Sequence, residues 1–522
     1  MALVGCTQNT DVQPQDVATV FPLEISCSAA AQADFVDAVV LLHSFEYVQT
    51  SKLFAAQIEL EPACAMAYWG AAMSIWHPLW APLNQAQLAR GADFLAQTDG
   101  LEMSAKEAAL INALKAFFSS TDLATNKTRA RAYSAAMEQI NADDPGDYEV
   151  EIFYALSLLG AADPRDKTYV NQRKAGTILK KMKVVYPRHP GVLHYIIHSY
   201  DAPGQADQAL DEAKIYAGSA KDSSHAQHMP SHIFTRLGLW DLSISSNHDA
   251  GRSAVEYTSR ANLPGHYDEG LHSIDYLMYA LLQTARDDEA HDVLLQLGEI
   301  DKTDTENFKV AFAYASAPAR YVLERRAWDE ASELTLMRPD FHWQDFGWAQ
   351  AINHFARGIG AARSGKIEQA KDEAALIDAL QQGLPPTLMP YIAMEVQVQS
   401  DLVKAWIMLA EGAPDAALEL ARSAAELEDS MDKHPVTPGE ILPARELYAD
   451  MLFETGNDAL ALAQYQIVLE GYPNRLNALL GAARSAGRLG EKDAAQGYEA
   501  IIASQTASRT GNRAGLDPGT RP

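Results

Sequence analysis

Apolar residues recur at three- and four-residue intervals along nearly the whole chain, and they come in paired segments. Residues 32–48, QADFVDAVVLLHSFEYV, predict one helix, and 50–61 predict its partner, ended by Pro62. CAMAYWGAAMSIWHPLW, residues 64–80, sets small residues between aromatics, as suits a helix that a neighbour approaches closely. Further helix pairs are predicted over 104–140 and 148–187, then over 307–335 and 346–378, with a proline break at 384–390 and more helices over 391–429. The pattern runs from about residue 30 to 505 without a long Pro/Ser-rich linker, so the chain reads as a single all-α solenoid over 27–505 rather than several domains. The last residues, 506–522, are polar and read as a disordered tail.

The stretch 189–280 departs from this routine. His194/His198 and His228/His232 are two H-x-x-x-H pairs, and that spacing puts both members on one helix face. The second pair repeats the first at an offset of 34 residues, as Gly238 repeats Gly204 and Gly490 repeats Gly456. Thirty-four residues is the period of a tetratricopeptide (TPR) helix–turn–helix unit, whose equivalent helices lie side by side. A right-handed, TPR-like solenoid would thus bring the four histidines together. The next first helix, HYDEGLHSIDYLMYALLQ from 266, adds His272, with Asp275 on the same face.

In the first histidine helix, 191–201, Leu193, Ile196, Ile197 and Tyr200 form the apolar stripe, and His194, His198 and Asp201 lie beside it. Pro230 complicates the second segment. Either the helix begins near Met229, or it begins near His225 under a Ser223 or Ser224 cap and kinks at the proline. His43, His77 and Trp80 read as packing residues near helix ends.

Neutral imidazoles suit transition metals, and a multi-histidine set with few carboxylates leans toward copper or zinc. The predicted ligands are His194, His198, His228, His232 and His272, with His225, His266, Asp201 and Asp275 as further ligands or as groups that orient them. More than four candidate nitrogens leave room for two ions. An open coordination position would make the protein a metal-dependent hydrolase or oxygenase; otherwise it handles metal. No H-E-x-x-H, G-x-S-x-G, phosphate-binding or dinucleotide-binding motif competes. The alternative is a non-enzymatic scaffold whose concave groove takes a peptide or small molecule, its histidines structural.

The formal charge is −27, from 69 acidic and 42 basic residues, which argues against nucleic acid or an anionic membrane surface as partner. No apolar run reaches 18 residues, so no membrane-spanning helix is expected. Residues 3–6, Leu-Val-Gly-Cys, resemble the end of a bacterial lipoprotein signal, which would lipidate Cys6 and leave 1–26 as anchor and linker. That expectation places the protein in the periplasm or on the outer membrane, held only by the lipid; the alternative is cytoplasmic. Cys27 and Cys64 then remain as an even pair, compatible with one disulfide or with two buried thiols.

HPGVLHYIIHSYD, HAQHMPSHIFTRLGLWD, HSIDYLMYALLQ and CAMAYWGAAMS together resemble a group of bacterial TPR-repeat proteins carrying H-P-G-x-x-H-Y-x-I-H and H-x-x-H-M-P-S-H-I-F. The resemblance covers about residues 27–360. It implies the solenoid fold and an exported location, and it supplies no activity.

Overall fold

The structure, a computed structural model, describes residues 23–79, 82–219, 223–386, 388–511, 513 and 516. Cys6 and Trp80 lie outside the described residues. Those described are all-α, with only two isolated bridge pairs, His266 with Thr303 and Arg286 with Thr510.

The predicted pairing holds: Ala29–His43 packs on Tyr47–Leu60, Tyr148–Gly160 on Val170–Val185, and Gly347–Arg363 on Ile367–Gln382. First helices also pack on the first helices of neighbouring units. Asp268–Gln283 lies against Phe308–Glu324, which lies against Gly347–Arg363, and that against Pro390–Ala410. Small faces make the approach close. A Cβ on Gly360 would fall 2.5 Å from the Ser332 nitrogen. The repeat glycines follow their helices in the left-handed region, with φ of 69° at Gly204, 63° at Gly238, 78° at Gly456 and 79° at Gly490.

Among the described residues the two largest apolar cores are one built from Leu23 to Phe234 and the other from Trp240 to Met451. The histidine helices lie at the seam between them. Cys27 and Cys64 form a disulfide, Cα to Cα 5.4 Å, tying the first helix pair to the start of Ala65–Met73.

The late repeats fold back on the middle of the stack. Tyr276 donates to the Thr437 carbonyl at 2.9 Å, and Arg320 donates to the carbonyls of Gly439 and Glu440, each at 2.6 Å. Arg475 is fully buried against Glu324 (2.8 Å) and Glu446 (2.6 Å). Trp240 donates to the Asn474 carbonyl at 3.0 Å, an approach that Gly238 permits, since a Cβ there would meet the Pro473 oxygen at 2.3 Å. The described part of the expected disordered tail is docked as well. Thr510 exchanges backbone bonds with Ala285 and Asp287, and Arg513 is buried on Asp287 and the Leu282 carbonyl. A single arginine with a buried carboxylate partner fixes a segment that looks featureless by composition.

Candidate metal centre

The first histidine helix is Pro190–Tyr200. His189 caps it by accepting from the Val192 amide, and Pro190 fills a first-turn position where no donor is needed. Gly191 is required for space, because a Cβ there would sit 2.5 Å from Nδ1 of His43. The expected split into an apolar stripe and a polar flank is corrected: every residue of this helix except the partly exposed His198 is buried. The helix is sandwiched on all sides, so its histidines are inside the protein.

The second segment takes the broken form. Ser224–His228 is capped by the Ser223 side chain, and Pro230–Arg236 continues it after a break at the proline. His228 and His232 stay near one face across the break, with their Nε2 atoms 3.0 Å apart. His272 comes from Asp268–Gln283.

The six imidazoles form two sets of three. His194, His198 and His225 gather one ring nitrogen each within 4.8 Å of one another, and so do His228, His232 and His272. Within the first set, Nε2 of His194 lies 3.1 Å from that of His198 and 3.3 Å from that of His225. The sets adjoin, with the rings of His198 and His232 6.0 Å apart and those of His225 and His228 6.5 Å apart.

The outward nitrogens fix the tautomers. Nδ1 of His194 faces the His43 carbonyl at 2.7 Å and must donate. Nδ1 of His228 meets Oδ1 of Asn247 at 2.6 Å, and the Asn247 amide is oriented because its Nδ2 donates to the Ser243 carbonyl at 2.7 Å. Nδ1 of His232 donates to Asp201 at 2.9 Å, and Nδ1 of His225 faces Glu269 at 3.3 Å. With the proton on Nδ1, Nε2 presents a lone pair inward. The lone pairs of His228 and His232 therefore point at each other across 3.0 Å.

Protonation does not relieve this. Burial, reinforced by neighbouring imidazoles, holds His194, His198, His228 and His272 well below the ordinary histidine range. Burial lowers His232 to about 4, against the opposing pull of Asp201. Asp201 would itself be raised by burial, but Lys433 and Arg236 hold it well below the carboxylate range, so it stays an acceptor. A set of neutral, inward-facing imidazole nitrogens is the donor chemistry of a transition-metal site.

Of the residues singled out by sequence, His194, His198, His228, His232 and His272 converge, and His225 joins them as the third member of the first set. Asp201 stands behind His232. Asp275 turns away, accepting from Ser316 at 2.6 Å and Arg320 at 3.2 Å. His266 is in neither set; its backbone bridges to Lys302 and Asp304. Several partners gave no sequence signal. Asn247, Glu269 of helix Asp268–Gln283 and the loop residue Lys433 sit at no repeating offset, and Phe45 reaches the site from the end of the first helix.

His43, read as a packing residue, belongs to a third buried group with Glu149 and His189. Here the bonds close internally. Nε2 of His189 donates to Glu149 at 2.8 Å, Nε2 of His43 lies 3.0 Å from the other carboxylate oxygen, and Nδ1 of His43 meets the Tyr195 hydroxyl at 2.9 Å. Burial would raise Glu149, but the two histidines bring it to about 2. This group buttresses the centre, because the His43 carbonyl orients His194.

No family model matches the chain, and no curated protein matches it. Among solved structures it is similar to the yeast Tom70 crystal structure, at 12% identity over 91% of this chain and 92% of that one, with a TM-score of 0.32. It is also similar to the P58(IPK) TPR domain, at 11% identity over 89% and 99%, TM-score 0.21. A third is Naa15/Naa10 bound to HypK-THB, at 12% identity over 91% and 70%, TM-score 0.24. At these scores the likenesses carry no argument about the site.

Proposed function

We propose that this TPR-like solenoid binds transition-metal ions, copper or zinc, at its six central histidines, one ion to each set of three. The observation that supports the reading most is the tautomer pattern: Nδ1 protons held outward by the His43 carbonyl, Asn247, Asp201 and Glu269, and Nε2 lone pairs turned inward. A merely structural cluster would hydrogen-bond those inner nitrogens, as the His43–Glu149–His189 group does. Three ligands per ion leave open positions, so the reading extends to a metal-dependent hydrolase or oxygenase, and otherwise to metal handling. When bound, the ions supply Lewis acidity toward water or dioxygen. The chain orients the imidazoles through their outward nitrogens, while Phe45, 4.4 Å from the His194 ring, and Tyr276, 4.6 Å from the His228 ring, keep bulk water from the rings.

The alternative of a peptide-binding scaffold is less favoured because residues of the chain's own 432–440 segment already cover Asp201, Tyr276 and Arg320. We further propose export to the bacterial cell envelope; the Cys27–Cys64 disulfide supports an oxidising compartment.

Elemental analysis of untagged protein tests the metal reading. Bound copper or zinc, lost in a His198→Ala/His232→Ala double variant that stays folded, is the expected result. Protein that is metal-free and takes up neither ion, yet gains melting temperature with a peptide, would overturn it.

A further inference from the structure

A cavity of about 380 Å³ opens beside the first histidine set. Its connection to the centre runs through two residues. Phe45 lines the cavity, and the same ring lies 4.4 Å from His194, 5.6 Å from His198 and 5.7 Å from His225. Glu269 also lines it, and its carboxylate faces Nδ1 of His225. The cavity therefore adjoins the histidine centre with one aromatic ring between.

The lining is rich in aromatic rings. Phe45 and Tyr47 stack at 5.3 Å, and Tyr47 lies 4.0 Å from His77. Phe308 and His434, which also line the cavity, pack together at 4.9 Å. A pocket of this size with such walls fits a small ring compound.

The polar end carries an excess of negative charge. Asp268, Glu269 and Asp304 all line it, and Lys309 is the cation among the lining residues, bonded to both Asp268 and Glu269. Three carboxylates against one ammonium leave that end short of positive charge. Asp304 shows the consequence: burial and the Asp268 carboxylate beside it push it up to about 6. A cation placed there meets both the carboxylates and the faces of the aromatic walls, and both attract it.

Phe45 holds its place at a cost. It follows the Ala29–His43 helix with φ 59°, closing the helix end through Phe45 N to the Leu42 carbonyl and Glu46 N to the Leu41 carbonyl, each 3.0 Å. That position favours glycine, and a bulky side chain there is strained. What the ring gains is its position between the cavity and three histidines.

We propose that this cavity is the substrate chamber of the histidine centre, and that it takes a small molecule carrying an aromatic ring and a protonated amine. The ring lies between the aromatic walls and the amine at the Asp304 end. The link to the centre rests on the metal reading above; the ligand class rests on the cavity alone.

Phenethylamine and phenylacetate, equal in ring and opposite in charge, are suitable probes. Calorimetric titration into the full chain, metal-free and copper-loaded, should show phenethylamine binding at least about tenfold more tightly. Asp304→Asn should cut that preference by about fivefold, and Leu83→Trp, which fills the cavity, should abolish binding; unchanged melting temperatures identify folded variants. In copper-loaded protein the ring-proton signals of phenethylamine should broaden, whereas in zinc-loaded protein they should stay sharp. Equal binding of the two probes, or binding indifferent to both substitutions, would overturn the ligand class. Selective binding without copper-induced broadening would overturn the chamber's link to the centre. Protein that takes up neither copper nor zinc would refute the metal reading, and the ligand class would then stand or fall on the metal-free titrations.

Discussion

Nε2 of His228 and Nε2 of His232 face each other at 3.0 Å, while their Nδ1 atoms are committed to Asn247 and Asp201. Two neutral lone pairs at that distance repel, and a cation between them converts the repulsion into two bonds. Burial disfavours a proton in that role, and an ion coordinated by both nitrogens fits it.

The acceptors behind the imidazoles should matter nearly as much as the imidazoles. Asp201→Asn removes the carboxylate that orients His232, and metal affinity should fall by about 10- to 100-fold. Competition with a chromophoric chelator measures it. Asp275→Asn, on a carboxylate turned toward Ser316 and Arg320, should leave that affinity unchanged.

Metal should stabilise the fold by mass action. Free ion at about 100 times its dissociation constant contributes about 2.7 kcal/mol per site, so the melting temperature should rise with added copper or zinc and drop with chelator. The His198→Ala/His232→Ala variant should show a smaller rise. Differential scanning calorimetry at fixed ion concentrations reads both.

The contribution of Glu395 and Glu428 to stability should decline as pH rises above the ordinary carboxylate range. Burial, with the carboxylates of Glu395, Glu428 and Glu440 near one another, raises Glu395 and Glu428 well above that range. The sign follows from linkage: a raised folded-state pKa means the native protein holds protons the unfolded chain has released. Their contribution is therefore present at low pH and is lost as pH climbs toward the folded values. The difference in urea midpoint between the wild type and Glu395→Gln, followed across pH, should show this slope.

Arg475 joins the late repeats to the middle of the stack through Glu324 and Glu446. Arg475→Met takes from two buried carboxylates the cation they share, leaving Glu324 with Asn477 and Glu446 with the more distant Arg326, and should cost about 3 kcal/mol, seen as a lower urea midpoint.

Opening the Cys27–Cys64 bond should destabilise the N-terminal repeats. The cysteines are 37 residues apart, and the chain-entropy relation gives about 4 kcal/mol for a loop of that length. A Cys27→Ser/Cys64→Ser variant compared with wild type by thermal melting checks it.

The helical spacing of apolar residues, the 34-residue repeat of histidine and glycine, and the proline at 230 were enough to predict an all-α solenoid and to single out its central helices. These are local properties, carried by residues within one or two helical turns or by a fixed repeat length. The grouping of the histidines was not local. Repeat register pairs His194 with His228 and His198 with His232, yet the structure completes each H-x-x-x-H pair with a histidine from a later helix, His225 for one and His272 for the other. His189 and Gly191 read as motif letters until His43 appears against them.

The sequence alone therefore determined the kind of helix stack and which helices carry imidazoles. Only the tertiary structure decided which nitrogens meet, which acceptors hold their protons outward, and that a cavity adjoins them. Asn247, Glu269, Phe45 and Lys433 reach the site from separate helices and loops, and no periodicity within a helix records what another part of the chain will place beside it.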